Sequence, residues 1–474
     1  MKRLLIILIL ISISAFSFSH PWKPRHYVII DTDAGIDDMK AISLLLASPD
    51  VRVVAVTVSP GVLGVNTGYM KVRSLLDSYY HEGVPVGLNR MQNYKSPDYQ
   101  AAVKAYWGDE SRFNLQEAPE SISMIKDILS VEKNKIEFIC LGSLSTLNKA
   151  LAEIPGIKDA IKHVFWSTSG LGNKKDFNFN IDPASARAVL NSGLPLTAVN
   201  NSSSYIIYNN ELITQLGGVN TIYGRKMASF MKQEIAAKHS FNYLLSDDAI
   251  PLMIHYPDLF ILNKNGQVEE AVISDTIQAR EKIIKILKGE TVDRNQVVRE
   301  FPTDPAFYFK DIEPSVSEII SRYGNDEWTS GIIANELHRH LGVFAIVGVK
   351  MGIRAREYFA TGVDEFSVLS TAGSTPPLSC MNDGLQVSTG ATPGHGLLTV
   401  RNDSPAPTAE FSYMNEKIRL TLKPEIASLI TNELKEINFV HGLDSDIYWE
   451  LVRKNSIKYW MNLDRHEIFI IEKL

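Results

Sequence analysis

The sequence predicts an α/β protein, an open and mostly parallel sheet with flanking helices, followed by a smaller C-terminal α+β domain. Three observations predict it. Short β-branched runs alternate with helix-length amphipathic stretches from about Arg25 to Gly324, the pattern of repeated βαβ units. The first run leads straight into four aspartates, Asp31, Asp33, Asp37 and Asp38. A polar, turn-prone stretch, Gly324-Asn-Asp-Glu327, then separates a region of different character, and 474 residues exceed one ordinary domain.

The elements follow in order. Met1-Lys-Arg, the apolar run Leu4 to Phe16 and the small residues of Ser17-Phe-Ser19 read as a cleaved leader ahead of His20. The apolar run is shorter than the ~20 residues of a membrane span, so the reading is an exported, soluble, periplasmic or secreted protein without a stable anchor. Tyr27 to Ile30 reads as a buried strand and Met39 to Ala47 as a helix with Ile42, Leu45 and Leu46 on its apolar face. Val53 to Val58, Ile136 to Leu141, His163 to Trp166 and Leu196 to Val199 are further strands, with helices such as Gly68 to Tyr80 and Ser143 to Ile154 between them. The domains are then residues 20–324 and 325–474, after a leader over 1–19.

The acidic run therefore sits where a strand ends and a helix begins, the crevice in which open α/β sheets hold ligands. Carboxylates this close repel one another, and burial keeps some protonated unless a cation neutralises them. A hard divalent cation with oxygen ligands answers both problems. An Asp-rich turn with an N-cap is the plainer reading, but one or two aspartates would satisfy it.

A net charge of −6 leaves no basic footprint for a nucleic-acid polymer. The two cysteines, Cys140 and Cys380, lie far apart and make no disulfide framework. Cys140 reads as a small core residue of its strand.

Asp31-x-Asp33-x-Gly35-x-Asp37-Asp38 resembles the signature of the inosine/uridine-preferring nucleoside hydrolase family. The similarity continues through Gly142-Ser-Leu-Ser145, Asp176-Phe-Asn178-Phe-Asn-Ile-Asp182-Pro183 and Ser246-Asp247-Asp248-Ala249, then Tyr256-Pro-Asp-Leu-Phe260. The resemblance implies that Asp33, Asp38 and Asp247 bind Ca²⁺ with the Leu141 carbonyl. By the same token Asp33 would take a proton from the attacking water, while Asp37 and Asn178 would hold ribose hydroxyls. The resemblance would also make Asn173 a further ribose contact, with Asp176 and Ser246 completing the substrate-binding set. The departures concern the sugar edge and the leaving group. Ser246 stands where the family usually has a histidine able to protonate a purine, Val62 replaces an asparagine, and Asp176 is one methylene shorter than the usual glutamate. A serine hydroxyl is no acid near neutral pH.

The second region carries His338-Arg-His340-Leu and Cys380-Met-Asn-Asp383-Gly-Leu-Gln386-x-x-Thr389-Gly390-x-Thr392-x-Gly394. This resembles the FmdE family, which takes its name from formylmethanofuran dehydrogenase. His338, His340 and Cys380 are chemically able to hold a transition metal, Zn²⁺ by preference, and are equally readable as structural residues. His395 either joins them or sits in a turn.

Together these imply an exported Ca²⁺-dependent hydrolase that splits the N-glycosidic bond of a ribonucleoside or related riboside, alone or as a homo-oligomer. A ribosyl-ligand binding protein that keeps the metal but not turnover is the alternative. In a third reading the second domain is the chemical centre.

Overall fold

The computed structural model describes residues 24–91, 94–202, 206–236, 244–291, 298 and 301–474; the leader expected over residues 1–19 lies outside them. Among the described residues no helix is long and apolar enough to cross a membrane.

The first strand, β1 (His26–Thr32), runs into helix α1 (Ile36–Ala47). The helix begins three residues before the expected Met39, so Asp37 and Asp38 fall in its first turn, where the helix dipole favours negative charge. Then follow β2 (Val51–Val58), helix α2 (Val65–Ser78), β3 (Val86–Leu88), β4 (Ile136–Cys140) and β5 (Ile161–Thr168). Beyond them come helix α3 (Phe177–Ile181), β6 (Leu196–Asn200), helix α4 (Ala249–His255) and a hairpin of β7 (Phe260–Asn265) and β8 (Val268–Ile273). The eight strands are ordered β3-β2-β1-β4-β5-β6-β8-β7. Each neighbouring pair is parallel except β7 with β8, as the βαβ alternation predicts.

Side-chain alternation divides β1 between two cores. Val28 and Ile30 join the layer formed by α1 and α2, while Tyr27 and Ile29 join Phe138, Trp166 and Leu147 on the opposite face. Both faces of the sheet are thus covered, which explains why its strands read as continuous apolar runs. Cys140 is a fully buried free thiol of that second layer.

Where a turn is expected at Gly324 to Glu327, the chain breaks at Gly324 between two helical segments, together α5 (Val316–His338). Gly324 alone there is non-helical, at φ 86° and ψ 167°. The chain continues through α6 (Val343–Phe359), β9 (Ser367–Ser370), α7 (Met381–Thr389), β10 (Leu398–Val400), β11 (Thr408–Tyr413) and β12 (Glu416–Leu422). It ends with α8 (Pro424–His441), α9 (Asp446–Asn462) and β13 (Phe469–Lys473). The sheet order is β10-β9-β11-β12-β13, and Phe411, Ile418 and Leu420 pack it against Val347 and Met351 of α6. This is the expected smaller α+β domain.

The second domain grips the amino ends of the first domain's strands. Arg52, second residue of β2, is ion-paired with Glu365 and donates to the Ala360 carbonyl. In the loop before β3, Tyr80 stacks on His466 with ring centroids 3.5 Å apart, and Gly83 N–H donates to Tyr358 O at 2.8 Å. His81 Nδ1 lies 2.6 Å from Glu357 O and its Nε2 2.6 Å from the Tyr223 hydroxyl. The carboxyl edge of the sheet, where the acidic run lies, is at the other end.

Candidate active site

The strand order reverses between β1 and β4, and the Asp31–Asp38 connection leaves β1 at that switch point. None of the four aspartates caps α1, whose N-cap is Gly35 with no side-chain bond, so the plain capping reading fails. Asp31 is structural. It is fully buried and accepts from Thr57 Oγ1 at 2.6 Å and Ser59 Oγ at 2.9 Å, on the neighbouring strand and just past its end. Burial pushes its carboxyl up to about 6.

Asp37, Asp38 and Asp247 each present an oxygen, and these atoms all lie within 4.8 Å of one another. Asp247 arrives from the turn that opens α4, more than two hundred residues away in sequence. Three bonds aim the ligands. Thr32 Oγ1 donates to Asp38 Oδ1 at 2.5 Å, the Asp33 N–H donates to the same oxygen at 3.1 Å, and Ser167 Oγ donates to Asp247. Asp33 stands beside this group, its Oδ1 accepting from the Gly35 N–H at 3.3 Å.

Burial dominates the electrostatics. It pushes the Asp33 carboxyl up to about 7, with the charges of Asp37 and Asp31 adding to the effect. Burial and the neighbouring aspartates hold Asp38 and Asp247 well above the usual carboxylate range. Without a cation the cluster resists full ionisation, and its donors are all oxygen, so the residues present fit a hard divalent ion such as Ca²⁺.

The expected sugar edge divides in two. Asn178, buried in α3, donates through Nδ2 to Leu141 O at 2.7 Å and Ser167 O at 3.1 Å, so it and the expected carbonyl ligand meet at the end of β4. Ser246 donates to Asp37 Oδ2 at 2.6 Å. Asp176 instead turns inward as the N-cap of α3, accepting from the Phe179 N–H and from Thr168 Oγ1 and Ser169 Oγ at 3.0 and 2.8 Å. Asn173 is exposed and holds Ser169 Oγ at 2.9 Å. The Val62 side chain packs against Gly35, and its backbone N–H faces the Asp33 carboxylate.

In sequence Ser59-Pro-Gly61 reads as turn chemistry. A Cβ at Gly61 would fall 2.0 Å from Asp33 Oδ2, so glycine is what lets the backbone approach this aspartate. Thr32 and Ser167 were also missed. Their signal was position, one residue inside a motif and one near the end of a buried strand.

In the second domain His338 Nδ1 pairs with Asp383 Oδ2 at 2.7 Å, and the His338 and His340 rings lie 4.1 Å apart. Cys380 is buried, and burial beside Asp383 pushes its thiol up to about 11. Among the described residues the acidic set is the one group of three or more metal-ligating side chains with atoms within 4.8 Å, so His338, His340 and Cys380 do not close around a common point. His395 sits in a turn, its Nδ1 2.9 Å from Gly390 O and 3.2 Å from Asp364.

Comparison with known proteins matches residues 28–305 to the inosine-uridine preferring nucleoside hydrolase model. Residues 337–469 match the model described as FmdE, molybdenum formylmethanofuran dehydrogenase operon. Among curated proteins, the non-specific ribonucleoside hydrolase RihC of Klebsiella pneumoniae is 27% identical over 182 residues, 36% of this chain and 59% of that protein. The inosine-uridine preferring nucleoside hydrolase of Leishmania major is 28% identical over 187 residues, again 36% of this chain and 59% of that one. The chain thus spans about three fifths of the length of these relatives. A solved purine-preferring ribonucleoside hydrolase from Gardnerella vaginalis overlaps with a TM-score of 0.44 at 20% identity, covering 56% of this chain and 99% of that one.

Proposed function

This chain belongs to the inosine-uridine preferring nucleoside hydrolase family, and on that premise we propose that its acidic site hydrolyses the N-glycosidic bond of a ribonucleoside or related riboside, with Ca²⁺, in an exported protein. The single observation that carries the reading is the convergence of Asp37, Asp38 and Asp247 within 4.8 Å at the switch point of the sheet. Asp33, Asn178 and the Leu141 carbonyl flank it.

Bound there, Ca²⁺ supplies a hard divalent charge that polarises a water and orients sugar hydroxyls. The residues do the rest. Asp33, beside the clustered carboxylates, accepts the proton of the attacking water. Asp37 accepts from a ribose hydroxyl, and Ser246 fixes its orientation. Asn178 offers its amide to a second hydroxyl once it releases a backbone carbonyl. The carboxylates favour the positive charge that develops on the sugar as the glycosidic bond breaks.

No histidine stands at Ser246 to protonate the departing base, so the site is suited to leaving groups stable as anions. Release of free ribose from a panel of nucleosides and a nitrophenyl riboside, with and without chelator, tests the proposal. Chelator-sensitive release supports it. Calcium-dependent binding of ribosides without any release would support the binding-protein reading instead.

A further inference from the structure

Lys40 is a lysine almost wholly removed from solvent, on α1 two residues after Asp38. An ammonium held at that depth costs several kcal/mol in desolvation unless it is paired and hydrogen-bonded. Its Nζ lies 3.0 Å from Asp248 Oδ2 and 3.5 Å from the Leu244 carbonyl, and it sits 4.5 Å from the centroid of the buried Tyr208 ring. Leu244 and Asp248 are the two ends of the short turn that carries Ser246 and Asp247. One ammonium therefore holds both ends of that turn.

The same helix holds the turn a second time, through Asp37, which accepts from Ser246 Oγ at 2.6 Å. So α1 carries two of the three clustered carboxylates and fixes, on two sides, the segment that brings the third. Asp247 itself receives the Ser167 hydroxyl, from β5, an element apart from the turn. Its oxygen can face the others only while the turn keeps its place over α1.

We propose that Lys40 is a positioning residue for the acidic site: through Asp248 and the Leu244 carbonyl it holds Asp247 where it can share a divalent cation with Asp37 and Asp38. The inference rests on the cation reading above and deepens it. Lys40 touches neither cation nor substrate. Its effect is on the alignment of a ligand, the kind of outer partner whose removal costs ~10- to 100-fold in metal affinity.

The test is calorimetric titration of the full chain with CaCl₂, comparing the parent, Lys40→Met, Asp248→Asn and the double variant, each with its melting curve in chelator. The expected result is ~10- to 100-fold weaker Ca²⁺ binding in each single variant at a temperature where it is folded. The double variant should be little worse than either, because the two side chains act as one unit. Unchanged Ca²⁺ affinity in a folded Lys40→Met, with only its melting temperature lowered, would reduce the pair to a brace for the fold and overturn the proposal. Should Lys40→Met not fold, Asp248→Asn decides by the same criterion, since the amide removes the ion pair while keeping the shape of the side chain. A parent that binds no Ca²⁺ is a different failure, that of the cation reading itself.

Discussion

Ser246 Oγ lies 2.6 Å from Asp37 Oδ2 and donates its proton to it. The side chain at this position thus orients a carboxylate, and its one proton is already committed. A histidine there would instead offer a group that titrates near neutrality. Under the proposed function, serine here moves the burden of departure onto the leaving group.

Leaving groups that need protonation should therefore react slowly. A nitrophenyl riboside should be cleaved ~10²-fold or more faster than inosine, the usual scale of a general acid. Ser246→His should narrow the gap in steady-state assays. Equal rates on both substrates in the parent would mean that another residue supplies the proton.

Removal of a ligand charge should weaken the cation site directly. Asp38→Asn and Asp247→Asn should each lose most Ca²⁺ affinity in calorimetry, because each deletes one of few charged ligands. At calcium a hundredfold above its Kd, the parent should gain about 2.7 kcal/mol of stability by linkage, and the variants should forfeit it. Identical isotherms in parent and both variants would remove the assignment.

Gly61→Ala tests the approach of backbone to Asp33. The added methyl would meet Asp33 Oδ2 at 2.0 Å, so the aspartate or the loop must shift. Overpacking of this kind costs ~1–3 kcal/mol. Ribose release should fall with it, and a fully active Gly61→Ala would show that Asp33 tolerates displacement and is not the base.

The seam between the domains should be sensitive to acid through His81. Burial lowers this imidazole from its ordinary 6.5 to about 4. A carbonyl can only accept, so Nδ1 carries the proton toward Glu357 O and the Tyr223 hydroxyl donates to Nε2. With the folded value depressed, the unfolded chain binds more protons between these limits. The neutral ring's contribution is complete above about 6.5 and fades as pH falls toward 4, by on the order of 3 kcal/mol. Melting curves between pH 7 and 4 should show a steeper loss in the parent than in His81→Gln; parallel curves would place the titration elsewhere.

Much of this was legible in the sequence, for physical reasons that also explain the gaps. A strand buried on both faces leaves an unbroken apolar run, so β1, β2 and β4 could be read directly. The four aspartates announced a site because local charge density is visible in sequence. What could not be read was direction. Asp176 reads as a substrate contact from its block, yet its oxygens turn back to cap α3. His338, His340 and Cys380 have the chemistry of a metal set, but spacing along the chain does not bring side chains to one point. At Gly324 the polar composition marks a real break, but the helix resumes directly beyond it. Ile312, Val316, Ile319 and Tyr323 pack with Trp328 and Trp460, so helix packing carries the chain through the bend.

The grip of the second domain on the amino ends of the strands divides the sheet into two separately adjustable ends. Among the described residues, Ser246 and Val62 at the acidic site share no hydrogen-bond, ion-pair or ring partner with Arg52, Tyr80 or His81 at the seam. Energetic effects at sites with no common contacts add nearly independently. Under the proposed function, substrate preference can therefore drift at one end while the attachment of the second domain is refined at the other, and neither change forces a compensating substitution across the sheet.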